Sequence, residues 1–424
     1  MEITLLTYGS QGDVEPFLAL ARGLIDAGHR VNLAAPEYYK ERINISGIEF
    51  FGYPGNPQQL VKDLVDEAGR NWADMIRSVS RFVIPLASAV VNQSWKASEN
   101  ADLIIHSFLL TSTGFEIAQE KSIPDISAQT FPVFSNTSDF PAPVFPDLPL
   151  GNLYRRFSHH FVTQTFKHGS NILYRWIRKA NPDLPPLTAW PFQKGSDWQT
   201  PILYAFSPNV ISRPEDWPEN VHITGYWFSQ RSSSWKPQKD LEDFIEAGPL
   251  PVAVVFGSTR SKKIARIIQM IVEALLICNQ RGVIVTDDHI FRPLNPSVCQ
   301  VDYVPYDWLF ERSAAVIHHG GAGTTGKGLQ AGVPNILIPF TSDQPFWGDQ
   351  VFKLGVGPKP LAPGRLTVNK LVNAIKAVTQ DQNIRNRARL LGAEMEKENG
   401  IAQAIEIILK LTKTPKTTKR SEHY

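Results

Sequence analysis

Three short runs of this sequence gather side chains whose types and spacing could do chemistry. The richest is Ala314-Ala315-Val316-Ile317-His318-His319-Gly320-Gly321-Ala322-Gly323-Thr324-Thr325, an apolar strand running into a glycine-rich turn and then a helix beginning near Thr324. The free N–H groups at such a helix start, with the positive end of its dipole, suit a diphosphate. Glycines let the main chain approach phosphate oxygens, threonine hydroxyls add donors, and His319 can donate directly. The competing reading is a tight turn with helix-capping threonines. A second run, Thr341-Ser342-Asp343-Gln344-Pro345-Phe346-Trp347-Gly348, sets a carboxylate beside an amide at a strand's carboxyl end. That pair suits a bidentate grip on vicinal hydroxyls, with Phe346 and Trp347 as flat apolar faces; Asp343 as a plain helix cap is the alternative. The third run, Tyr8-Gly9-Ser10-Gln11-Gly12-Asp13, puts an aspartate where a strand turns into a helix. Buried, it could serve as a general base; as an N-cap it would be held as the anion.

These residues need elements to position them. A strand from Glu2 to Thr7, a helix with Asp13 as its plausible N-cap and Phe17, Leu20, Ala21 and Leu24 on one face, and a strand from Val31 to Ala35 make a βαβ unit. Strands follow at Leu103–His106, Ile126–Gln129, Ile202–Phe206 and Val221–Gly225. Between Phe131 and Gln199 prolines and aromatics interrupt the alternation, with helical spacing from Tyr154 to Lys179. The stretch reads either as extra core packing or as a wall for an apolar ligand. After a serine-rich run the alternation restarts at Val252 and continues to Leu411. The fold class expected is α/β: two Rossmann-like, doubly wound parallel-sheet domains facing across a cleft. Their bounds are 1–228 and 240–411, with a linker at 229–239 and a disordered Lys/Thr-rich tail at 412–424.

Composition narrows the function. With 43 basic and 41 acidic residues the net charge is +2, which argues against a nucleic-acid binder. Cys278 and Cys299 have no metal-ligand or CxxC spacing and read as core thiols. No run is long and apolar enough to span a bilayer, and the chain opens directly on a strand, so a cytoplasmic protein is expected.

The motifs together resemble the UDP-glycosyltransferases, and within them the sterol 3β-glucosyltransferases of fungi and bacteria. Relatives run HHGGAGTT, AGVP and PFxxDQPFWG; this chain reads the same over 318–325, 331–334 and 339–348. GSQGDVEP at 9–16 resembles the GSRGDVQP of that group and of glycopeptide-antibiotic glycosyltransferases, and 222–228 resembles the VTGYWF of the domain junction. The run from Val304 to Phe310 resembles VPHDWLF, and Val255-Phe256-Gly257-Ser258 resembles GFGS. The resemblance covers residues 1 to 411 in order.

What it implies is a GT-B fold and an inverting transfer of a sugar, glucose from UDP-glucose, to the hydroxyl of a sterol or similar apolar alcohol. Asp13 matches the base, with Ser10 and Gly12 shaping its turn beside the donor. Ser258 and Thr259 approach the diphosphate, Val304 meets the uracil, and His319, Gly321, Gly323 and Thr324 hold the phosphates. Asp343 and Gln344 hold the sugar. Phe131, Phe134, Phe140 and Trp347 are candidates for the acceptor wall. The UDP-sugar is a co-substrate; no tightly bound cofactor and no metal are expected. Apart from the resemblance, the aromatic and basic residues between Phe131 and Trp198 read either as a peripheral contact with a membrane or as a satellite core with a solvated basic face. Gln11, Val255 and Lys327 depart from the family pattern, leaving the sugar and nucleotide open. A carotenoid, polyketide, flavonoid or lipid acceptor is the alternative within the reaction class. A catalytically silent nucleotide-sugar-binding protein and a sugar-nucleotide epimerase are the readings outside it.

Overall fold

The computed structural model describes residues 1–43, 47–56, 84–185, 190–192, 199–229, 235–257, 262–286 and 295–413. A first parallel sheet contains β1 (Glu2–Leu6), β2 (Arg30–Pro36), β3 (Ile48–Tyr53), β4 (Leu103–His106), β5 (Asp125–Gln129), β6 (Ile202–Tyr204) and β7 (Val221–Ile223), in the order β3-β2-β1-β4-β5-β6-β7. A second contains β8 (Val252–Val255), β9 (Gly282–Val285), β10 (Val298–Val301), β11 (Ala315–His318) and β12 (Asn335–Leu337), in the order β10-β9-β8-β11-β12. The helices are α1 (Gln11–Asp26), α2 (Ile84–Ala97), α3 (Thr111–Lys121), α4 (Gly151–Ala180), α5 (Lys239–Glu246), α6 (Lys262–Ile277), α7 (Tyr306–Phe310), α8 (Ala322–Gln330), α9 (Gln344–Lys353), α10 (Val368–Gln380), α11 (Gln382–Met395) and α12 (Gly400–Lys413). Central strands such as β4 and β8 are buried at every position, which is why they are nearly unbroken apolar runs.

Strand order reverses between β1 and β4 in the first sheet and between β8 and β11 in the second. Crevices for ligands open at the carboxyl ends of strands at such switch points. Asp13 follows β1 and His319 follows β11, so the topology alone places both at those ends. The expected doubly wound sheets are therefore present, with element ends within a few residues of those read from the sequence.

Three expectations about extent need correction. The helix α1 is capped by Ser10, so Asp13 is its third residue and not its N-cap. Residues 412–413, assigned to a disordered tail, continue α12, and Lys239, assigned to the linker, opens α5. Residues 230–234 of the linker and the tail beyond 413 lie outside the described residues. Finally, α12 was expected within the second domain. It packs instead on α1 of the first, with Ala404 and Ile408 in the same cluster as Phe17, Leu20 and Leu24.

The junction at 224–228 explains its own sequence. Trp227 enters the first domain's core, edge-on to Phe17 at 6.2 Å, and its indole N–H donates to Thr224 Oγ1 at 2.9 Å. Tyr226 joins a separate cluster that spans both domains, with Tyr204 and Phe206 from the first and Leu329 and Trp347 from the second. Adjacent side chains thus pin one backbone to two cores. Glu398 adds a polar strap, accepting from Ser207 Oγ at 2.5 Å and Asn209 Nδ2 at 2.7 Å.

Candidate active site

Asp13 reaches back along its own helix start. Its Oδ2 accepts from the Ser10 main-chain N–H at 2.7 Å and from Ser10 Oγ at 2.9 Å, a capping box closed by an aspartate. Burial pushes its carboxyl above the usual carboxylate range, against the downward pull of the Ser10 hydrogen bonds. The carboxylate that closes the capping box is thus the same one that the sequence offers as a base. Two neighbours that the sequence did not single out enforce it. Gly9, at φ +147°, leaves only 2.3 Å between the place of a Cβ and Asp13 Oδ2, so no other residue leaves that carboxylate where it is. Thr7 Oγ1 donates to the Asp13 carbonyl at 2.9 Å.

On the second sheet, His318 and His319 divide the labour. His318 is fully buried on β11; its Nδ1 accepts from the Gly320 N–H at 3.1 Å and its Nε2 faces Asn335 Oδ1 at 3.0 Å. The Gly320 bond fixes the proton on Nε2. Burial, and then His319, hold its pKa down to about 3, so it is a neutral brace for the turn. His319 stands beyond it, half-buried, with its pKa pushed down to about 4 by burial and its Nδ1 without a partner among the described residues. A Cβ on Gly321 would come within 2.7 Å of His319 Nε2, so that glycine makes room for the imidazole. The α8 amides begin directly after, with Gly321 as N-cap and Gly323 and Thr324 in the first turn. Thr325 Oγ1 is committed to the Gly321 carbonyl at 2.9 Å.

Asp343 stands at the N-cap position of α9 without a side-chain capping hydrogen bond, and its Oδ2 accepts the indole N–H of Trp347 at 2.8 Å. Burial, followed by the charge of Asp13, pushes its carboxyl up to about 6 against the Trp347 and Ser342 hydrogen bonds. Ser342 precedes it in the left-handed region, φ 60°, a strained conformation that costs on the order of 1–3 kcal/mol. Gln344 Oε1 accepts from Phe340 N at 2.8 Å and Thr341 N at 3.3 Å, which shapes the loop and leaves its amide NH₂ as the group to offer a ligand.

The structure thus brings Asp13, from the first sheet, and Asp343, from the second, within reach of each other's charge. Ser10 and Gly12 are exposed beside Asp13. Ser258 and Thr259 lie outside the described residues, but Gly257 before them places its α-carbon beside the His319 ring.

Other assignments fall. Trp347 is 0% exposed, 5.8 Å from Phe206, and works as core and as the Asp343 donor, with no face for an acceptor. Val304 is 1% exposed and packs with Leu309, Phe310 and Val316, so it has no surface for a nucleobase. Phe134 and Phe140 are likewise buried, Phe134 against Phe108, Phe166, Trp190 and Phe192, and Phe140 against Trp217 and Phe346. Much of the aromatic stretch is core, and of the four acceptor candidates only Phe131 stays half-exposed.

Comparison with known proteins places these geometries among relatives. Residues 3–135 match the glycosyltransferase family 28 N-terminal domain and residues 281–411 the C-terminal domain of erythromycin biosynthesis protein CIII-like proteins. Over 96% of the chain it is 34% identical to a sterol 3-beta-glucosyltransferase of Sclerotinia sclerotiorum, covering 29% of that protein. Over 97% of the chain it is 32% identical to a sterol 3-beta-glucosyltransferase of Arabidopsis thaliana, covering 65% of it. The chain therefore spans about a third or less of its fungal relatives and under two thirds of the plant one. Among solved structures, the glycotransferase of kitacinnamycin superposes with TM-score 0.72 at 21% identity, covering 96% of this chain and 98% of that one. The calicheamicin glycosyltransferase CalG4 superposes with TM-score 0.69 at 16% identity, covering 96% and 97%. These likenesses fix the fold as GT-B.

Proposed function

The chain is a GT-B-fold relative of the sterol 3-beta-glucosyltransferases, and on that premise we propose that it transfers a sugar from a nucleotide-sugar donor to the hydroxyl of a sterol or similarly apolar alcohol. The observation that carries this reading is the meeting of Asp13 and Asp343 from opposite sheets, beside a helix start and a neutral histidine. In this mechanism Asp13, made more basic by burial, takes the acceptor's hydroxyl proton as its oxygen attacks the anomeric carbon. The bond to the diphosphate breaks on the opposite side, inverting the centre, so an α-linked UDP-glucose gives a β-glucoside. The leaving diphosphate receives the α8 amides and the His319 N–H, which stabilise developing charge without a metal. Asp343 and the Gln344 amide hold the sugar hydroxyls. The donor sugar is read as glucose because of the names of the relatives, and the acceptor as one drawn from a membrane.

Asp13→Asn tests the assignment. The amide keeps the shape but cannot accept the proton, so transfer should fall by about 10²-fold or more while nucleotide affinity stays within about twofold. Product formation read by mass, beside a calorimetric titration of UDP, separates the two. Near-normal turnover would remove Asp13 from the role.

A further inference from the structure

We propose that the outer face of α4 docks the protein on an anionic lipid bilayer. The helix has two apolar faces. One is internal: Phe166 packs on Phe108 and Phe134, while Tyr174 and Ile177 pack with Val91. The opposite face would be polar in an ordinary surface helix. Here Leu153 is 86% exposed, Phe157 58%, Phe161 50%, Ile172 57% and Trp176 49%. At about 100° per residue these five fall in one sector of roughly 140°, along about 35 Å of helix. Exposed apolar residues are ordinary when scattered. These are joined, with Phe157 and Phe161 rings 6.1 Å apart and Phe145 5.8 Å from Phe161. Val144, Leu148 and Leu150 extend the exposed patch just before the helix.

Charge identifies the occupant. The 30 residues of α4 contain no aspartate or glutamate, but they contain Arg155, Arg156, Lys167, Arg175, Arg178 and Lys179. Arg175 and Lys179 are exposed and lie in the same sector as the apolar stripe. A long stripe of aliphatic and aromatic side chains within one sector, edged by cations, matches the plane where acyl chains meet anionic headgroups. The α4 helix would then lie between that plane and the aromatic cluster around Phe134, on the route of an acceptor leaving the bilayer. That last role rests on the proposed reaction; the docking itself does not.

Flotation of the full chain with vesicles, without donor or turnover, tests it. The protein should float with phosphatidylcholine vesicles containing phosphatidylglycerol, and less so as salt is raised. The double variant Arg175→Glu/Lys179→Glu and the triple variant Leu153→Ser/Phe157→Ser/Trp176→Ser should each lose about 10-fold or more of the bound fraction. Both should keep the wild-type melting temperature and transfer to a detergent-dispersed acceptor. Leu390→Ser, altering a side chain 59% exposed on α11, should float as the wild type does. Three outcomes overturn the proposal: wild type absent from the phosphatidylglycerol-containing vesicles, variants floating as well as wild type, or a wild-type dimer in solution that the same variants dissociate. Loss of sugar transfer with floating intact would sink the proposed reaction and leave the docking standing.

Discussion

Asp343 carries two demands that pull its proton in opposite directions. As the acceptor of the Trp347 N–H, beside Ser342, it is favoured as the anion, yet burial and the Asp13 charge prevail and lift it to about 6. The folded state thus holds this proton more tightly than the unfolded chain, where the ordinary value is 3.8. Its unfavourable contribution is absent below the ordinary value, grows as pH rises toward about 6, and is complete above it. Asp343→Asn keeps an oxygen for Trp347 and removes the charge. At about pH 7.5 the ligand-free variant should be more stable by on the order of 1–3 kcal/mol, and near pH 3.5 it should show no gain. Its affinity for the nucleotide sugar should fall while that for the free nucleotide holds. Thermal melts at both pH values check the first part, and a variant less stable at pH 7.5 would mean that the Trp347 hydrogen bond needs the anion. The sequence showed Asp343 and Asp13 as chemistry-bearing residues from type and place. It could not show Gly9 under Asp13 or Trp347 as the Asp343 donor, because both depend on contacts made only when loops close.

At the scale of elements, two glycines sit where helices would gain from alanine. Gly12 and Gly323 occupy the second positions of α1 and α8. A Cβ on Gly323 would meet nothing within 4 Å, and one on Gly12 only Ser10 Oγ at 3.7 Å. The fold does not require either to be glycine; on the proposed donor site, close approach of a ligand to the two helix starts would. Alanine should therefore raise stability or leave it unchanged, by up to about 1 kcal/mol, while weakening donor binding about 10-fold or more. Differential scanning calorimetry with and without UDP-sugar reads both, and unchanged affinity in both variants would move the donor away from these helix starts. The same scale shows why some elements were legible and others not. Strands such as Val252–Val255 are apolar at every residue because both faces are covered. The α3 helix escaped notice because Thr111, Thr113, Phe115, Glu116, Ile117 and Ala118 are all buried, leaving no polar stripe to give a period. The edge strand β3 is half-exposed along most of its length and alternates weakly.

For the whole molecule, the decisive feature is that the chain's last described helix returns to its first. The α12 helix lies on α1, so the helix that carries Asp13 is clamped by a segment arriving from beyond the second sheet. Local periodicity gave the helix but not its partner, since an apolar stripe says that something is covered and not what covers it. Gly23, in α1, marks the close approach: a Cβ there would sit 2.4 Å from Ile401 Cγ2 and 3.0 Å from Ile405 Cδ1. One helix thus offers two glycines with opposite expectations. Gly12→Ala should be neutral or stabilising, whereas Gly23→Ala should push α12 away and cost about 1–3 kcal/mol despite alanine's better helix propensity. Ile408→Ala, at a side chain with 0% exposure in the same cluster, should cost about 2–4 kcal/mol. Both should lower the urea midpoint and reduce turnover, because α1 positions Asp13. UDP affinity of the folded protein should change far less than turnover, because the proposed phosphate contacts of His319 and Thr324 stand on the second sheet and Gly12 alone of α1 is expected to approach the donor. If Gly23→Ala and Ile408→Ala left the midpoint unchanged, the return of α12 would be a surface contact, and the clamp on the base would have to come from the Trp227 junction alone.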